Sequence, residues 1–210
     1  VRIALVVMLI FAVVVISVTN RLLTDRFTET TRSRAELRIA LYGGNLLAEL
    51  RQNAIVPQLL GRDPTLISAL ESADYSLSTQ RLISFVEEIG AASLMLLDMD
   101  GRTVAATDRN RIGATHRSEA YFVDAIRSNA TIFSVIKQDS GTYRFFYSRR
   151  IQNGGTTIGV IAVEVDLKKF ERAWAGISDA VIVINSSGEI LLATEPRWRG
   201  LTEAEALDNQ

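Results

Sequence analysis

The residues best suited to binding chemistry lie in one stretch, from Gly141 to Arg150, which reads Gly-Thr-Tyr-Arg-Phe-Phe-Tyr-Ser-Arg-Arg. Aromatic and cationic residues recur here at the two-residue period of a β-strand, which gives the stretch two faces. We expect one face to carry Thr142, Arg144, Phe146 and Ser148, and the other to carry Tyr143, Phe145, Tyr147 and Arg149. A strand that packs through its aromatics and presents Arg, Thr and Ser on the other side could line a small pocket for an anion. A register error of one residue would exchange the two faces.

The amino-acid composition excludes several classes of function. The 210 residues are 48% hydrophobic and carry a formal charge of -1, so nucleic acid is a poor candidate partner. There is no cysteine and a single histidine, His116, which excludes thiol catalysis and a multi-histidine metal site. Asp98 and Asp100 are typical of a turn, and no phosphate-binding glycine loop or nucleophile–base pair stands out. We therefore expect no catalytic residues, no metal and no cofactor.

The N-terminal part predicts a membrane anchor and a stalk. The run from Ile3 to Val18 carries no charge and lies near the lower length limit of a transmembrane helix, so we assign residues 1–20 to one. A cleaved signal peptide and a buried core helix are the alternatives. Residues 21–72 are predicted to form a long stalk helix to about residue 52, followed by short helices beginning at Pro57 and after Asp63. Because the chain begins at Val1, we expect a fragment of a longer protein.

The segment from about residue 73 to 170 predicts an α+β domain with a five-stranded antiparallel sheet and helices on one side. A helix capped by Ser118 is expected between the second and third strands. After residue 171 a second hairpin, around Asn185 to Gly188, repeats the first one around Asp98 to Gly101, so residues 171–210 are predicted to begin a similar, incomplete domain. The predicted strands are 92–97, 103–107, 132–138, 142–152 and 157–166.

These elements together resemble the double Cache (tandem PAS-like) sensor module of bacterial membrane receptors. The resemblance is carried by the strand that ends in Asp98-Met99-Asp100-Gly101, by the Tyr121-Phe122 helix and by the strand from Ile158 to Val163. The stretches from Arg117 to Phe122 and from Thr142 to Arg150 are similar to those of DctB-type sensor histidine kinases, which detect four-carbon dicarboxylates.

The resemblance implies a ligand site in the membrane-distal domain, residues 73–170. It places Ser118 and Tyr121 on the helix side, Thr142, Arg144 and Ser148 on the central strand, and Lys169 as a cation that reaches back over the pocket. Arginine can grip one carboxylate through parallel hydrogen bonds, and hydroxyl groups would orient the acid. Each residue also has a structural alternative: a salt-bridged surface Arg144, a core-packed Tyr121 and a surface Lys169. His116 and Arg111 lie in a loop that could close the pocket.

The resemblance implies the periplasmic sensor of an inner-membrane histidine kinase that binds succinate, fumarate or malate and regulates dicarboxylate transport. The partners expected are the dicarboxylate, membrane lipid around residues 1–20, a second copy through the long helix, and a response regulator that acts with an absent kinase region. A chemotaxis receptor for another organic acid or amino acid is the alternative, although Glu119 stands where many Cache modules carry arginine. A ligand-free membrane-anchored scaffold is the third hypothesis.

Overall fold

A computed structural model describes residues 32–89, 91–176 and 180–208. The chain divides into two compact units, residues 1–47 and 48–210. In the first unit the described residues, 32–47, are helical, and the second unit begins with helical residues 48–60, called α1 here. The predicted long N-terminal helix is therefore confirmed over its described part. The predicted break at Pro57 is wrong, because the helical residues continue without interruption through Pro57 to Leu60. The Pro57 carbonyl oxygen accepts a hydrogen bond from Gly61 N at 2.9 Å, which closes the last turn.

The predicted transmembrane segment, residues 1–20, lies outside the described residues. Within the described ranges, no helix combines the length and the apolar character that a bilayer span requires.

Two short helices follow α1, and the first begins after Asp63 as predicted. Helix α2 spans Pro64–Ser72, and the Asp63 carboxylate caps it by accepting hydrogen bonds from Thr65 N and Leu66 N. Helix α3 spans Ser78–Ile89. The buried Asp63 carboxylate also pairs with Arg81 at 2.8 Å, so a single acidic residue fixes both the start of α2 and its position against α3.

The predicted five-stranded antiparallel sheet is confirmed. Its spatial order is β2-β1-β5-β4-β3, with all neighbours antiparallel. The order follows from the hairpins, because β3, β4 and β5 are consecutive and β1 pairs with β5 on one edge and β2 on the other. The strands are β1 Ser93–Leu97, β2 Thr103–Ala106, β3 Ile132–Lys137, β4 Tyr143–Asn153 and β5 Thr156–Val165.

Helices cover both faces of this sheet, so the prediction of helices on one side is wrong. One face packs Leu94, Leu96 and Ile161 against residues of α1, α2 and α3. The opposite face packs Met95 and Val160 against helix α4, Ala120–Arg127. Consecutive strand residues are buried on both sides because β1 and β5 are central strands, which explains why β1 has no polar alternation in the sequence.

A second, smaller core follows the sheet. Its elements are α5 Lys168–Trp174, β6 Ile182–Ile184, β7 Ile190–Ala193 and α6 Glu203–Asp208. Ile190, Ala193, Trp198 and Ala206 form its apolar centre. The predicted second hairpin is present, while the division of the chain into membrane-distal and membrane-proximal domains stays a prediction.

Polar contacts join this second core to the five-stranded sheet. The Glu189 carboxylate accepts hydrogen bonds from the Tyr143 hydroxyl at 2.6 Å and from Lys137 Nζ at 2.7 Å. On α5 the buried Glu171 carboxylate accepts from Ala193 N at 3.1 Å and from Arg199 Nε at 2.9 Å. The contacts of Glu189 tie the end of β3 and the start of β4 to the turn before β7, and those of Glu171 hold α5 against the second core.

Candidate functional site

A cavity of about 320 Å³ opens where β4 begins and β5 ends. It lies beside the first turn of α5 and includes Arg111, from a 3-10 helix that spans Arg109–Arg111. Its wall is strongly polar, with both signs of charge. The lining residues with polar side chains include Arg111, Gln138, Thr142, Arg144, Glu164 and Lys168.

The predicted cation Arg144 lines this cavity and is held by Glu164. Arg144 Nε donates to Glu164 Oε1 at 2.7 Å, and Arg144 Nη2 donates to Glu164 Oε2 at 2.6 Å. Arg111 Nη1 lies 3.1 Å from the same Glu164 Oε2. Two guanidinium groups thus share one carboxylate in a site where all three side chains are at most a quarter exposed. Arg111 Nε also lies 3.4 Å from Asp108 Oδ2, so two carboxylates balance the two guanidinium groups. The N–H donors that these ion pairs leave free can still bind a carboxylate.

Next to the cavity on the same sheet face, Tyr121 packs on the central strand. It is buried, and its ring stacks on that of Phe146 with centroids 4.5 Å apart. The Arg144 guanidinium lies 4.8 Å from the Phe146 centroid, so this phenylalanine contacts both predicted site residues. Burial, together with the charges of Glu119 and Glu164, raises the pKa of the Tyr121 hydroxyl, which therefore stays protonated and able to donate a hydrogen bond.

Ser148 is also on this face but does not line the cavity. It is fully buried, and its hydroxyl oxygen has no hydrogen-bond partner among the described residues. His116 Nε2 is likewise buried without a hydrogen-bond partner among the described residues. The centroid of the His116 ring lies 5.9 Å from that of Tyr121. Burial lowers the pKa of His116, which favours the neutral imidazole. Unpaired buried polar atoms are costly, so both are suited to a partner that a ligand or water would supply.

The remaining predicted site residues lie in different places. Thr142 lines the cavity, with its hydroxyl 2.9 Å from that of Ser140. Ser118 is exposed before α4 and is not its cap, because Glu119 occupies that position and makes no side-chain capping bond. Lys169 does not line the cavity, since its ammonium pairs with Glu49 on α1 at 2.6 Å. The structure thus brings Thr142 and Arg144 together in the cavity and leaves Ser118 and Lys169 outside it.

Sequence reasoning missed Glu164 and Lys168. The period of β5 contained the signal for Glu164, because the residue stands at the end of an apolar strand and breaks its pattern. In the observed register Glu164 lies opposite Phe146, which places it diagonally across from Arg144. Lys168 could not be separated from Lys169 by pattern, because the exact start of α5 decides which of two adjacent lysines faces the cavity.

Comparison with known proteins identifies relatives among sensor proteins. The chain is 27% identical over 188 residues to the C4-dicarboxylate transport sensor protein DctB of Pseudomonas aeruginosa, covering 86% of this chain and 30% of the relative. It is 26% identical over 164 residues to the protein of the same name from Rhizobium meliloti, covering 75% of this chain and 26% of the relative. The chain thus spans less than a third of these relatives. No family model matches.

Solved structures support the fold. The sensor domain of the V. cholerae histidine kinase DctB superposes with a TM-score of 0.71 at 24% identity, over 84% of this chain and 74% of that one. The ligand-binding domain of the Pseudomonas aeruginosa amino acid chemoreceptor PctC, in complex with GABA, superposes with a TM-score of 0.67 at 18% identity. This match covers 84% of this chain and 81% of that one. The resemblance to DctB sensor proteins is confirmed. The match to a sensor domain also confirms that this fragment is not itself an enzyme.

Proposed function

We propose that this chain is the extracytoplasmic sensor region of a membrane-bound sensor histidine kinase that binds C4-dicarboxylates such as succinate, fumarate or malate. The observation that carries the proposal is the cavity at the β4 face that the sequence predicted for the ligand, where the guanidinium groups of Arg144 and Arg111 meet at Glu164. The relatives named as C4-dicarboxylate transport sensors support this class of ligand.

The chemistry of the cavity suits a carboxylate. Arg144 uses Nε and Nη2 on Glu164, which leaves the donors of Nη1 for a second acceptor. The adjacent Thr142 hydroxyl can orient an acid that Arg144 holds. We further propose that Tyr121 and Ser148 become ligand contacts when the stacked Tyr121–Phe146 pair opens, since the Ser148 hydroxyl is buried without a partner among the described residues.

The proposed signal is a shift between two populations of the sensor. A ligand that bridges the sheet and α4 would favour a closed state, and the long N-terminal helix would convey that state to the membrane, around residues 1–20. The parent protein would then act from the inner membrane as a dimer joined through this helix. It would phosphorylate a response regulator that controls dicarboxylate transport.

One feature favours the alternative of a chemoreceptor-like site for an amino acid. Glu164 and Asp166 line the cavity and could accept hydrogen bonds from an ammonium group. The chemoreceptor domain crystallised with GABA shares the fold. A ligand panel that contains both plain and amino-substituted acids separates the two functions.

Calorimetric titration of the purified, solubilised chain tests the proposal. Succinate, fumarate and malate are expected to release or absorb heat with saturation, and Arg144→Ala is expected to weaken binding by at least about 1.5 kcal/mol, the low end for a charged hydrogen bond. Leu77→Ala, which alters an exposed side chain outside the cavity, serves as the control. Saturable binding of amino acids alone would favour the alternative, and unchanged affinity in a folded Arg144→Ala variant would refute the pocket assignment.

A further inference from the structure

Among the described residues that line the cavity, Lys168 is the cation without an ion-pair partner. Arg111 and Arg144 both pair with Glu164, at 3.1 and 2.6 Å. Lys168 lines the same cavity, half-buried, and forms no ion pair or hydrogen bond with any described side chain. Asp166 is the other carboxylate in the wall, and it is already bound by Arg172 Nη2 at 2.6 Å.

An unpaired ammonium group in a confined site attracts a mobile anion. A carboxylate that enters the cavity can pair with an ammonium group that no carboxylate of the described residues already binds. Lysine also has a flexible four-carbon stem, which lets its charge follow a ligand of variable length. Lys168 is therefore suited to the end of an acid that the arginine pair does not hold.

The adjacent lysine is committed elsewhere. Lys169 Nζ lies 2.6 Å from Glu49 Oε2. Glu49 is in turn held by Asn53, whose Nδ2 donates to its other carboxylate oxygen at 2.8 Å. Consecutive residues on a helix point about 100° apart, which agrees with the observation that Lys168 lines the cavity while Lys169 pairs with Glu49.

We propose that Lys168, and not Lys169, is the second cationic end of the ligand site and binds the carboxylate distal to Arg144. The inference rests on the proposed function, because it assigns a residue to the far end of a dicarboxylate. The site then has two carboxylate positions: one at the Arg111–Arg144 pair, which Glu164 holds in place, and one at Lys168, which pairs with no carboxylate of the described residues.

The two adjacent lysines provide a matched test by calorimetry on the purified, solubilised chain. We expect Lys168→Gln to weaken succinate binding at least tenfold, Lys168→Arg to restore it to within about threefold of wild type, and Lys169→Gln to stay within about twofold. Succinamate, which replaces one carboxylate by an amide, supplies a charge-specific readout. The preference for succinate over succinamate should fall toward one in Lys168→Gln and persist in Lys169→Gln.

The outcomes separate the two proposals. If the wild-type chain binds no dicarboxylate, the proposed function fails and takes the role of Lys168 with it. If the wild-type chain binds succinate and Lys168→Gln binds it equally well, with its preference over succinamate intact, only the assignment of Lys168 is overturned. A loss of succinate affinity in Lys169→Gln as large as that in Lys168→Gln would also overturn the assignment of Lys168. Circular dichroism of each variant verifies that it folds.

Discussion

The hairpin of β1 and β2 and the hairpin of β6 and β7 share one backbone design. In the first, Asp98 Oδ1 accepts hydrogen bonds from Asp100 N and Arg102 N, both at 2.9 Å. In the second, Asn185 Oδ1 accepts from the amides of the residues two and four positions on, at 2.9 and 3.0 Å. The first strand of each hairpin contains a register shift near its end.

The loops that follow the two hairpins differ in the residue that ends the 3-10 helix. After the first hairpin it is Arg111, which lines the cavity and pairs with Glu164. After the second it is Trp198, which is 7% exposed and fills the second core. Backbone hydrogen bonds from Gly113 N to Thr103 O and from Gly200 N to Ile190 O fix both loops. Local hydrogen bonds therefore fix the backbone of both loops, and the side chain at this position can either line a cavity or fill a core.

Truncating Trp198 should mainly destabilise the fold, whereas truncating Arg111 should mainly weaken ligand binding. Trp198→Ala is expected to destabilise the fold by about 3–5 kcal/mol, because it removes a large buried side chain. Arg111→Ala should cost about 1 kcal/mol or less, since Glu164 keeps Arg144 as a partner, while weakening ligand binding. Urea unfolding followed by circular dichroism measures the first quantity and calorimetry the second.

A conservative change sharpens this contrast. The Trp198 indole nitrogen is buried without a hydrogen-bond partner among the described residues. Trp198→Phe keeps an aromatic ring and removes that unpaired group, so it should cost much less than Trp198→Ala. A loss of equal size in both variants would contradict a packing role.

The turn glycines distinguish the hairpins in a second way. Gly101 and Gly188 both have positive φ, 75° and 80°, so alanine at either carries a left-handed strain of about 1–2 kcal/mol. At Gly101 an added Cβ would also lie 2.8 Å from Arg117 Cα and N, whereas at Gly188 it would meet nothing within 4 Å. We expect Gly101→Ala to cost about 3 kcal/mol and Gly188→Ala about 1 kcal/mol in urea unfolding. Equal costs would show that Arg117 can shift freely.

The smallest expected effect concerns pH and is specific to the first hairpin. Burial lowers the folded-state pKa of His116, with a partly opposing contribution from Glu119. The unfolded chain therefore binds this proton more tightly, and stability should fall as pH drops below the unfolded value of about 6.5. His116→Gln should make the stability less dependent on pH between about 8 and 5.5. An unchanged slope in urea unfolding at these pH values would refute the prediction.

Much of the sheet could be predicted from the sequence because its signals are local. Asp100-Gly101 marks a turn, and Gly101 does adopt positive φ. Asp63 before Pro64 marks a helix start, and the cap is present. The position of α4 could not be predicted in the same way. Its apolar stripe fits either side of a sheet whose central strands are buried on both faces, so only the completed packing decides.

The site was predictable to the level of strand faces. The two-residue period of β4 predicted Arg144 and Phe146 on one face and Tyr147 on the other, which the structure shows. Tyr143 and Phe145, predicted for the Tyr147 face, also line the cavity at the start of β4, and a ligand on the Arg144 face stays a prediction. The partner Glu164 depends on the pairing of two strands, which local patterns do not specify. The choice between Lys168 and Lys169 depends on the phase of a helix with no capping side chain to mark its start.

Helix α5 is only seven residues long, yet its side chains contact three different parts of the second unit. Lys168 lines the cavity, Lys169 holds Glu49 of α1, and Glu171 holds Arg199 beside the second core. A helix of about two turns has few internal degrees of freedom. Its three attachments therefore cannot move independently, and a displacement at any one of them is mechanically shared with the other two.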